Sequence, residues 1–380
     1  LYALSLGAFV LDEIAVLLVA RGAESRDEDT SGIPLSAAPA GPVPGPRRIA
    51  VRRLASFAAA ALPLLLVFLF FILARYRESG TAAGGGLTKP TLLRFDFSQL
   101  VRLESEISTT DDTVMLIRID GAAETRLVRR FVLSGYDPRQ GFFIDRGRDF
   151  SEHPASIPDA PADLGDPGWR GRETVEQEYF FLSIDPTSLV AVNQPVRVAP
   201  LRNWKGSPFL RVYRATSAAI RPGDPVPLVR ETPSMEAGAL AWYTRTGGDE
   251  RIRELAVGVT GGLTGYADRV EAIERWLRGN YLYSLHPGVA ADGDQLHHFL
   301  FESRKGYCSY FAFAMALMCR SVGIPARVAV GFLVPRETEV LNFYEVRAFQ
   351  AHAWVEVWFG DRGWIEFDPT SQELAPGEDF

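Results

Sequence analysis

The sequence predicts an α+β protein: a β-rich, sandwich-like region, then a helix-and-sheet unit, behind an N-terminal membrane helix. Three observations predict it. An uncharged apolar run of membrane-spanning length lies near residue 60. Short alternating runs, broken by Gly, Pro, Asp and Asn, fill residues 91–230. From residue 231 helical periodicity leads into a series of strand-like runs. At 380 residues the chain is too long for one ordinary domain. Its 47% apolar, 23% charged and 11% aromatic composition is globular. The net charge of −7, with both signs interspersed, leaves no basic stripe and argues against a nucleic-acid partner.

Residues 57–74, FAAAALPLLLVFLFFILA, carry no charge. With Leu54 and Ala55 the run reaches about 20 residues, enough to cross a hydrocarbon core of about 30 Å. Pro63 is tolerated in such a helix. A buried core helix of this length would keep a polar face, and this run has none. Residues 54–76 are therefore expected to span a membrane. Arg47, Arg48, Arg52 and Arg53 precede the run and only Arg75 and Arg77 follow it closely, which sets its N-terminal side in the cytoplasm. The run is too long for a cleavable signal peptide. Residues 1–20 form a second candidate span, interrupted by Asp12 and Glu13, whose carboxylates are costly at a bilayer centre unless buried in protein or protonated. Residues 21–53, with SAAPAGPVPGPRR, then read as a Pro-rich cytoplasmic loop, and residues 77–90 as a Gly-rich linker. The chain starts at Leu1 rather than Met, so it is expected to be part of a longer protein.

Outside the membrane, TVMLIRI (113–119), RLVRRFVL (126–133), YFFLSI (179–184), SLVAV (188–192) and FLRVYRA (209–215) alternate as strands do. They predict a β-rich domain over 91–230 that serves as spacer or recognition module. The second unit, 231–370, opens with helices expected at 234–242, 249–257 and 265–280. The last places Val270, Ile273, Trp276 and Leu277 at helical spacing and stops at Gly279 and Asn280. A further helix is expected over 308–322, CSYFAFAMALMCRSV. After Gly323 and Pro325 come ARVAVGFLV, FYEVRAF, AHAWVEVWF and GWIEFD, an antiparallel sheet for a helix to pack on. Residues 371–380 read as linker.

The two cysteines, Cys308 and Cys319, fall on one predicted helix about 16 Å apart along its axis. A disulfide needs Cα atoms within about 7 Å, so the pair cannot bridge there. Cys308 opens that helix, where free N–H groups and the helix dipole stabilise a thiolate and can also hold an oxyanion. Cys319, mid-helix beside Ala312 and Met315, reads as core. A thiol nucleophile needs a base, and the base an orienting group. His352, in AHAWVEVWF, and Asp368, at the end of GWIEFD, supply the residue types. Simple pairing around the turn 360–363 sets position 371 opposite His352, so Asp368 reaches the imidazole only through a bulge or a strand end.

These strings resemble a family. GYCSYFAFAMALMCRSVGIPARVAVGF is similar to the cysteine motif of the transglutaminase-like superfamily, and AHAWVEVWFGDRGWIEFDPT to its histidine and aspartate motifs. The likeness covers about residues 265–370. With the upstream β-rich region and membrane helix, and with DQLHHFLFESRKGYC leading into the cysteine, the chain resembles the bacterial membrane-bound TgpA-type transglutaminase-like proteins. The resemblance implies a papain-like core in which Cys308 is nucleophile, His352 general base and acid, and Asp368 the group that steadies the imidazole. It implies a thioester that passes an acyl group from a peptide or protein to an amine or to water. The setting is a bacterial inner membrane with the catalytic domain outside the cytoplasm. One departure is visible: many relatives carry Glu-His directly after the cysteine, where this chain has Ser309 and Tyr310.

No cofactor and no metal site is expected. His297 and His298 are adjacent and point apart in any regular structure, and Asp292 and Asp294 lack the rest of a calcium loop. Tyr283 stands either near the oxyanion position or as ordinary packing. Trp354 and Trp358 fit sheet packing. Two functional classes follow: a thiol acyltransferase or peptidase, or a non-catalytic binding or scaffold module that keeps the fold. The arginine asymmetry also yields an expected topology. A reporter fused after residue 90 that is active only outside the cytoplasm should be active, and activity of a cytoplasm-only reporter there would overturn the orientation.

Overall fold

The structure, a computed structural model, describes residues 97–378 apart from 107–109, 121–124, 145–155, 202–207, 221–228, 336 and 338. The candidate span at 1–20, the loop at 21–53, the span at 54–76 and the linker at 77–90 lie outside the described residues. Among the described residues no helix is long and apolar enough to cross a membrane.

Two sheets carry the fold. The strands before residue 230 are β1 (Thr113–Ile119), β2 (Thr125–Leu133), β3 (Gly135–Asp137), β4 (Gly141–Phe143), β5 (Ala162–Asp163), β6 (Arg172–Phe181), β7 (Ala191–Val192), β8 (Pro195–Pro200) and β9 (Arg211–Ile220). After it come β10 (Leu282–Tyr283), β11 (Lys305–Gly306), β12 (Ala326–Pro335), β13 (Glu339–Val340), β14 (Phe343–Arg347), β15 (Ala351–Trp358) and β16 (Trp364–Phe367). The helices are α1 (Ser98–Val101), α2 (Ala237–Tyr243), α3 (Glu250–Thr260), α4 (Tyr266–Asn280), α5 (Gln295–His298) and α6 (Cys308–Ser321). One sheet runs β13-β14-β1-β6-β9-β8-β5 and the other β16-β15-β12-β2-β7.

The helices form where the apolar spacing and capping groups set them. Asp249 caps α3 by accepting from the N–H of Ile252, and Val270, Ile273 and Leu277 of α4 are buried. Helix α6 differs from these: Cys308 to Arg320 are all buried, so it lies inside the protein, against β15 and β12. That accounts for its nearly unbroken apolar sequence, and β15 is likewise buried from His352 through Val357.

The boundary expected at residue 230 is not a boundary in the fold. Strand β2, from the upstream region, pairs antiparallel with β12, and β1 pairs with β14. Upstream and downstream strands thus share both sheets, and residues 90–380 group as one unit. A buried ion cluster fastens the two regions. Arg129 of β2 donates through Nη1 to both carboxylate oxygens of Glu356 at 2.7 and 2.9 Å, and Arg327 of β12 donates through Nε at 2.7 Å. Burial opposes the charge on Glu356, but the two guanidinium groups outweigh it and hold its carboxyl below the usual carboxylate range. The Arg327 guanidinium also lies over the ring of Trp364, 4.0 Å from its centroid. Sequence patterning reads strands by their alternation, and long-range partners such as these leave no trace in it.

Residues 371–378, expected as linker, also belong to the fold. The N–H of Tyr283 donates to the carbonyl of Glu373 at 2.7 Å, and the N–H of Ala375 to the carbonyl of Tyr283 at 2.8 Å.

Candidate active site

Cys308 is the first residue of α6. Tyr307 before it is extended, and no side chain caps the helix, so the N–H groups of its first turn are left without a side-chain acceptor. Gly306 makes the approach possible: a Cβ there would stand 2.9 Å from the Cβ of Tyr310. Strand β11 holds this entry by pairing in parallel with β10, Leu282 beside Lys305 and Tyr283 beside Gly306.

His352 is the second residue of β15. In the ladder with β12 it stands opposite Gly331, where the register with β2 also shifts. A Cβ at 331 would lie 2.0 Å from the carbonyl oxygen of Val128, so only glycine lets the three strands close up beside the imidazole.

Asp368 reaches the ring through a strand end. The β15–β16 ladder stops at Val355 and Phe367. Phe359 donates its N–H to the carbonyl of Gly363 at 2.8 Å across a 3₁₀ turn at Gly360–Arg362, a tighter closure than simple pairing assumes. Carried on, the observed register would set residue 370, not 371, opposite His352. Asp368 leaves the ladder first and turns its carboxylate to the imidazole, with His352 Nε2 to Asp368 Oδ2 at 2.8 Å. Cys308 is the other side chain that acts on the ring.

Helix α4 fixes the strand end. Arg278 Nε donates to the carbonyl of Asp368 at 2.7 Å, and the N–H of Asp368 donates to Glu274 Oε1 at 3.2 Å. Sequence reasoning missed both residues, because nothing in the helical spacing of 265–280 signals the strand end that they hold. It also missed residues 97–104, which run across the start of α6. Ser309 Oγ donates to the carbonyl of Leu100 at 2.9 Å, the Tyr310 hydroxyl to that of Glu104 at 2.8 Å, and the Tyr307 hydroxyl to that of Arg102 at 3.0 Å. Ser309 and Tyr310, singled out as a departure from relatives, thus hold a neighbouring segment.

Exposure falls inward: 26% of the Asp368 side chain, 11% of the His352 side chain, and 2% of Cys308. The sulfur is nearly dry, so charges around it act through a low effective dielectric. Burial works against a charged His352, but the carboxylate of Asp368, its hydrogen bond to the ring and the neighbouring Cys308 outweigh it and raise its pKa well above the ordinary histidine value. Burial likewise opposes the charge on Asp368, but the imidazole and the N–H of Thr370 prevail and hold its pKa down to about 2.

Cys319 is fully buried and its thiol is pushed up by burial, as expected of a core residue. Both cysteines are free. His297 pairs with Asp249, and His298 with Glu302, on separate partners. Trp354 is buried in the sheet, while Trp358 donates to the carbonyl of Ser234. A cleft of about 610 Å³ on the seven-stranded sheet, lined by residues such as Arg118, Glu178 and Arg214, holds none of Cys308, His352 and Asp368.

A helix that presents cysteine to a strand-borne, carboxylate-held imidazole defines a papain-like cysteine core. Residues 253–369 match the family model of the transglutaminase-like superfamily, so this stretch is a transglutaminase-like domain. Among curated proteins, the chain is 40% identical over 104 residues to the protein-glutamine gamma-glutamyltransferase of Pseudomonas aeruginosa, covering 27% of this chain and 15% of that one. It is 38% identical over 136 residues to YebA of Bacillus subtilis, covering 34% of this chain and 18% of that one. The match thus spans less than a fifth of either relative. Among solved structures it is similar to the periplasmic domain of TgpA from Pseudomonas aeruginosa bound to ethylmercury, at 22% identity and a TM-score of 0.50, covering 70% of this chain and 92% of that one. The transglutaminase-like match thus falls on the stretch that carries Cys308, His352 and Asp368, in a fold similar to that of the TgpA periplasmic domain.

The shifted pair carries a pH signature. Asp368, depressed in the fold, contributes stability that is present above its unfolded value of about 3.9 and is lost as pH falls toward about 2. His352, raised in the fold, contributes stability present below its unfolded value of about 6.5 and lost as pH rises through its folded value. The stability gap between the wild type and Asp368→Asn should therefore be widest from about pH 4 to about pH 6.5 and narrow on the acid side. Denaturant midpoints measured across that range check this, and a gap that is flat to the acid limit contradicts it.

Proposed function

We propose that this chain is a membrane-anchored thiol acyltransferase or cysteine peptidase whose catalytic domain lies outside the cytoplasm. The observation that carries the reading is the hydrogen bond between His352 and Asp368, with Cys308 at the start of α6 as the other side chain acting on the imidazole. Support also comes from the transglutaminase-like match over 253–369 and from the Pseudomonas relative, whose name describes transfer from a protein glutamine. The TgpA likeness to a periplasmic domain and the apolar run at 54–76 support the location.

In this reading His352 takes the thiol proton, and the Cys308 thiolate attacks the carbonyl carbon of an amide side chain or peptide bond. A C–S bond forms and the carbonyl π pair moves onto oxygen. When the pair returns, the C–N bond breaks and the imidazolium protonates the departing nitrogen, leaving a thioester on Cys308. An amine or water then attacks the thioester while His352 accepts its proton. The C–S bond breaks, and the thiolate is regenerated beside an imidazolium. Asp368 stays ionised throughout and holds the ring in the orientation that both steps need. Amine and water share this path, so cross-linking and hydrolysis differ only in which acceptor reaches the thioester.

Iodoacetamide near neutral pH separates this from a binding module that merely keeps the fold. Cys308 should alkylate quickly, and His352→Ala should slow it roughly tenfold or more by removing the base that holds the thiolate. Equal rates in the two proteins would favour the binding module. Incubation of the active chain with a labelled primary amine and a glutamine-containing peptide then distinguishes cross-linking, which incorporates label, from hydrolysis, which does not.

A further inference from the structure

The cleft on the seven-stranded sheet is built from charged side chains that the Cys–His–Asp site does not use. Alternate side chains of a strand share a face, and the register of four strands sets those of the cleft in two rows. The first row runs from the end of β1 across β6 and β9 to β8. In it the N–H of Asp120 donates to the carbonyl of Glu176 at 2.9 Å, Glu176 stands opposite Thr216, and Thr216 opposite Arg197. The second row is Arg118, Glu178, Arg214 and Ala199 on the same four strands. The alternate residues Gln177, Tyr213 and Ala215 are buried on the core side. The two rows line a cleft of about 610 Å³, a size that suits a small ligand.

The floor of this cleft is closed and its ends are open. Glu178 accepts from Arg214 Nε and Nη2 through Oε1, at 3.1 and 2.6 Å, and from Arg118 Nη2 through Oε2, at 2.9 Å. Thr216 Oγ1 donates to Glu176 Oε1 at 2.8 Å. The two ends of the first row differ. The side chains of Asp120 and Arg197 are exposed and make no hydrogen bond or ion pair among the described residues.

The lining holds three guanidinium groups and three carboxylates, so it carries no net charge. Such a surface gives no advantage to a polyanion or a polycation, and it favours a ligand that carries both signs. Asp120 and Arg197 stand three strand spacings apart, about 14 Å from backbone to backbone. An extended chain covers about 3.3 Å per residue, so about four residues bring an ammonium to Asp120 and a carboxylate to Arg197. A guanidinium is also a matched partner for a terminal carboxylate. Between the ends, Arg118 and Arg214 are 41% and 50% exposed and keep N–H groups that Glu178 does not use, and Glu176 keeps one carboxylate oxygen. These donors and acceptors match the carbonyl and N–H groups of a peptide backbone.

We propose that this cleft binds a short peptide of about four residues with both ends free, its ammonium at Asp120 and its carboxylate at Arg197. The site recognises charged ends and backbone rather than particular side chains. It is distinct from the Cys308 site and holds whether or not Cys308 turns over.

Ligand-observed NMR titration of the full chain tests this with tetraalanine, tetraalanine amide, N-acetyl-tetraalanine and the doubly blocked peptide. Blocking either end should weaken binding about fivefold, the effect of losing an ion pair between partly exposed groups. Arg197→Ala should lower the affinity for tetraalanine to that of the amide and leave the affinity for the amide unchanged. Asp120→Asn should do the same with respect to the N-acetyl peptide. Retained binding of the blocked ligand also shows that each variant keeps the cleft. Failure of the wild type to bind tetraalanine at millimolar concentration would overturn the proposal. So would equal binding of all the peptides, which would make the cleft a seat for an internal protein segment. A variant that loses every peptide alike would also overturn it, by marking the substituted residue as a support of the fold.

Discussion

The bond from the imidazole of His352 to the carboxylate of Asp368, 2.8 Å long, is the constraint on which the site depends. It requires three elements to end in the right place. Strand β15 must start where it does so that His352 faces the first turn of α6. Strand β16 must stop at Phe367 so that Asp368 is free to turn. Helix α4 must supply Glu274 and Arg278 to hold the backbone of Asp368 in that turn. A carboxylate left in the ladder would project from a face of the sheet, and an imidazole without its carboxylate would lose the charge that keeps it protonated in a nearly dry site.

Behind this geometry lies an interleaved fold. The upstream strands β1 and β2 are partners of β14 and β12, so the sheet that carries His352 is incomplete without residues that precede it by more than two hundred positions. Arg129, Arg327 and Glu356 make that dependence electrostatic as well as steric. All three are buried, and losing one partner would strand charge in the interior. The upstream region is thus structural support for the site, in the same unit, rather than a spacer set apart from it.

Much of this was legible in the sequence, for reasons that differ by residue. The helices at 237–243, 250–260, 266–280 and 308–321 follow from apolar periodicity and punctuation by Gly and Asn, which are local properties. Cys308 stood out because a cysteine at a helix start is chemically distinct from one at mid-helix, and Cys319 behaves accordingly. His352 and Asp368 were recognisable by motif, but their contact was not, because one hydrogen bond in the turn at 360–363 shifts the register by a residue. The pairing of β2 with β12, the hold of Glu274 and Arg278 on Asp368, and the return of residues 373–375 to Tyr283 depend on long-range closure, which local pattern does not encode. They erased the boundary expected at 230 and the linker expected after 370.

The central claim is that Cys308 carries an acyl group in turnover, and mass spectrometry of acid-quenched reactions tests it most directly. After brief exposure to an activated acyl ester, the peptide containing residue 308 should gain the mass of one acyl group. The gain should disappear on addition of a primary amine and should be absent from His352→Ala. An unmodified residue 308 in the wild type, or an equal adduct in His352→Ala, would contradict the account.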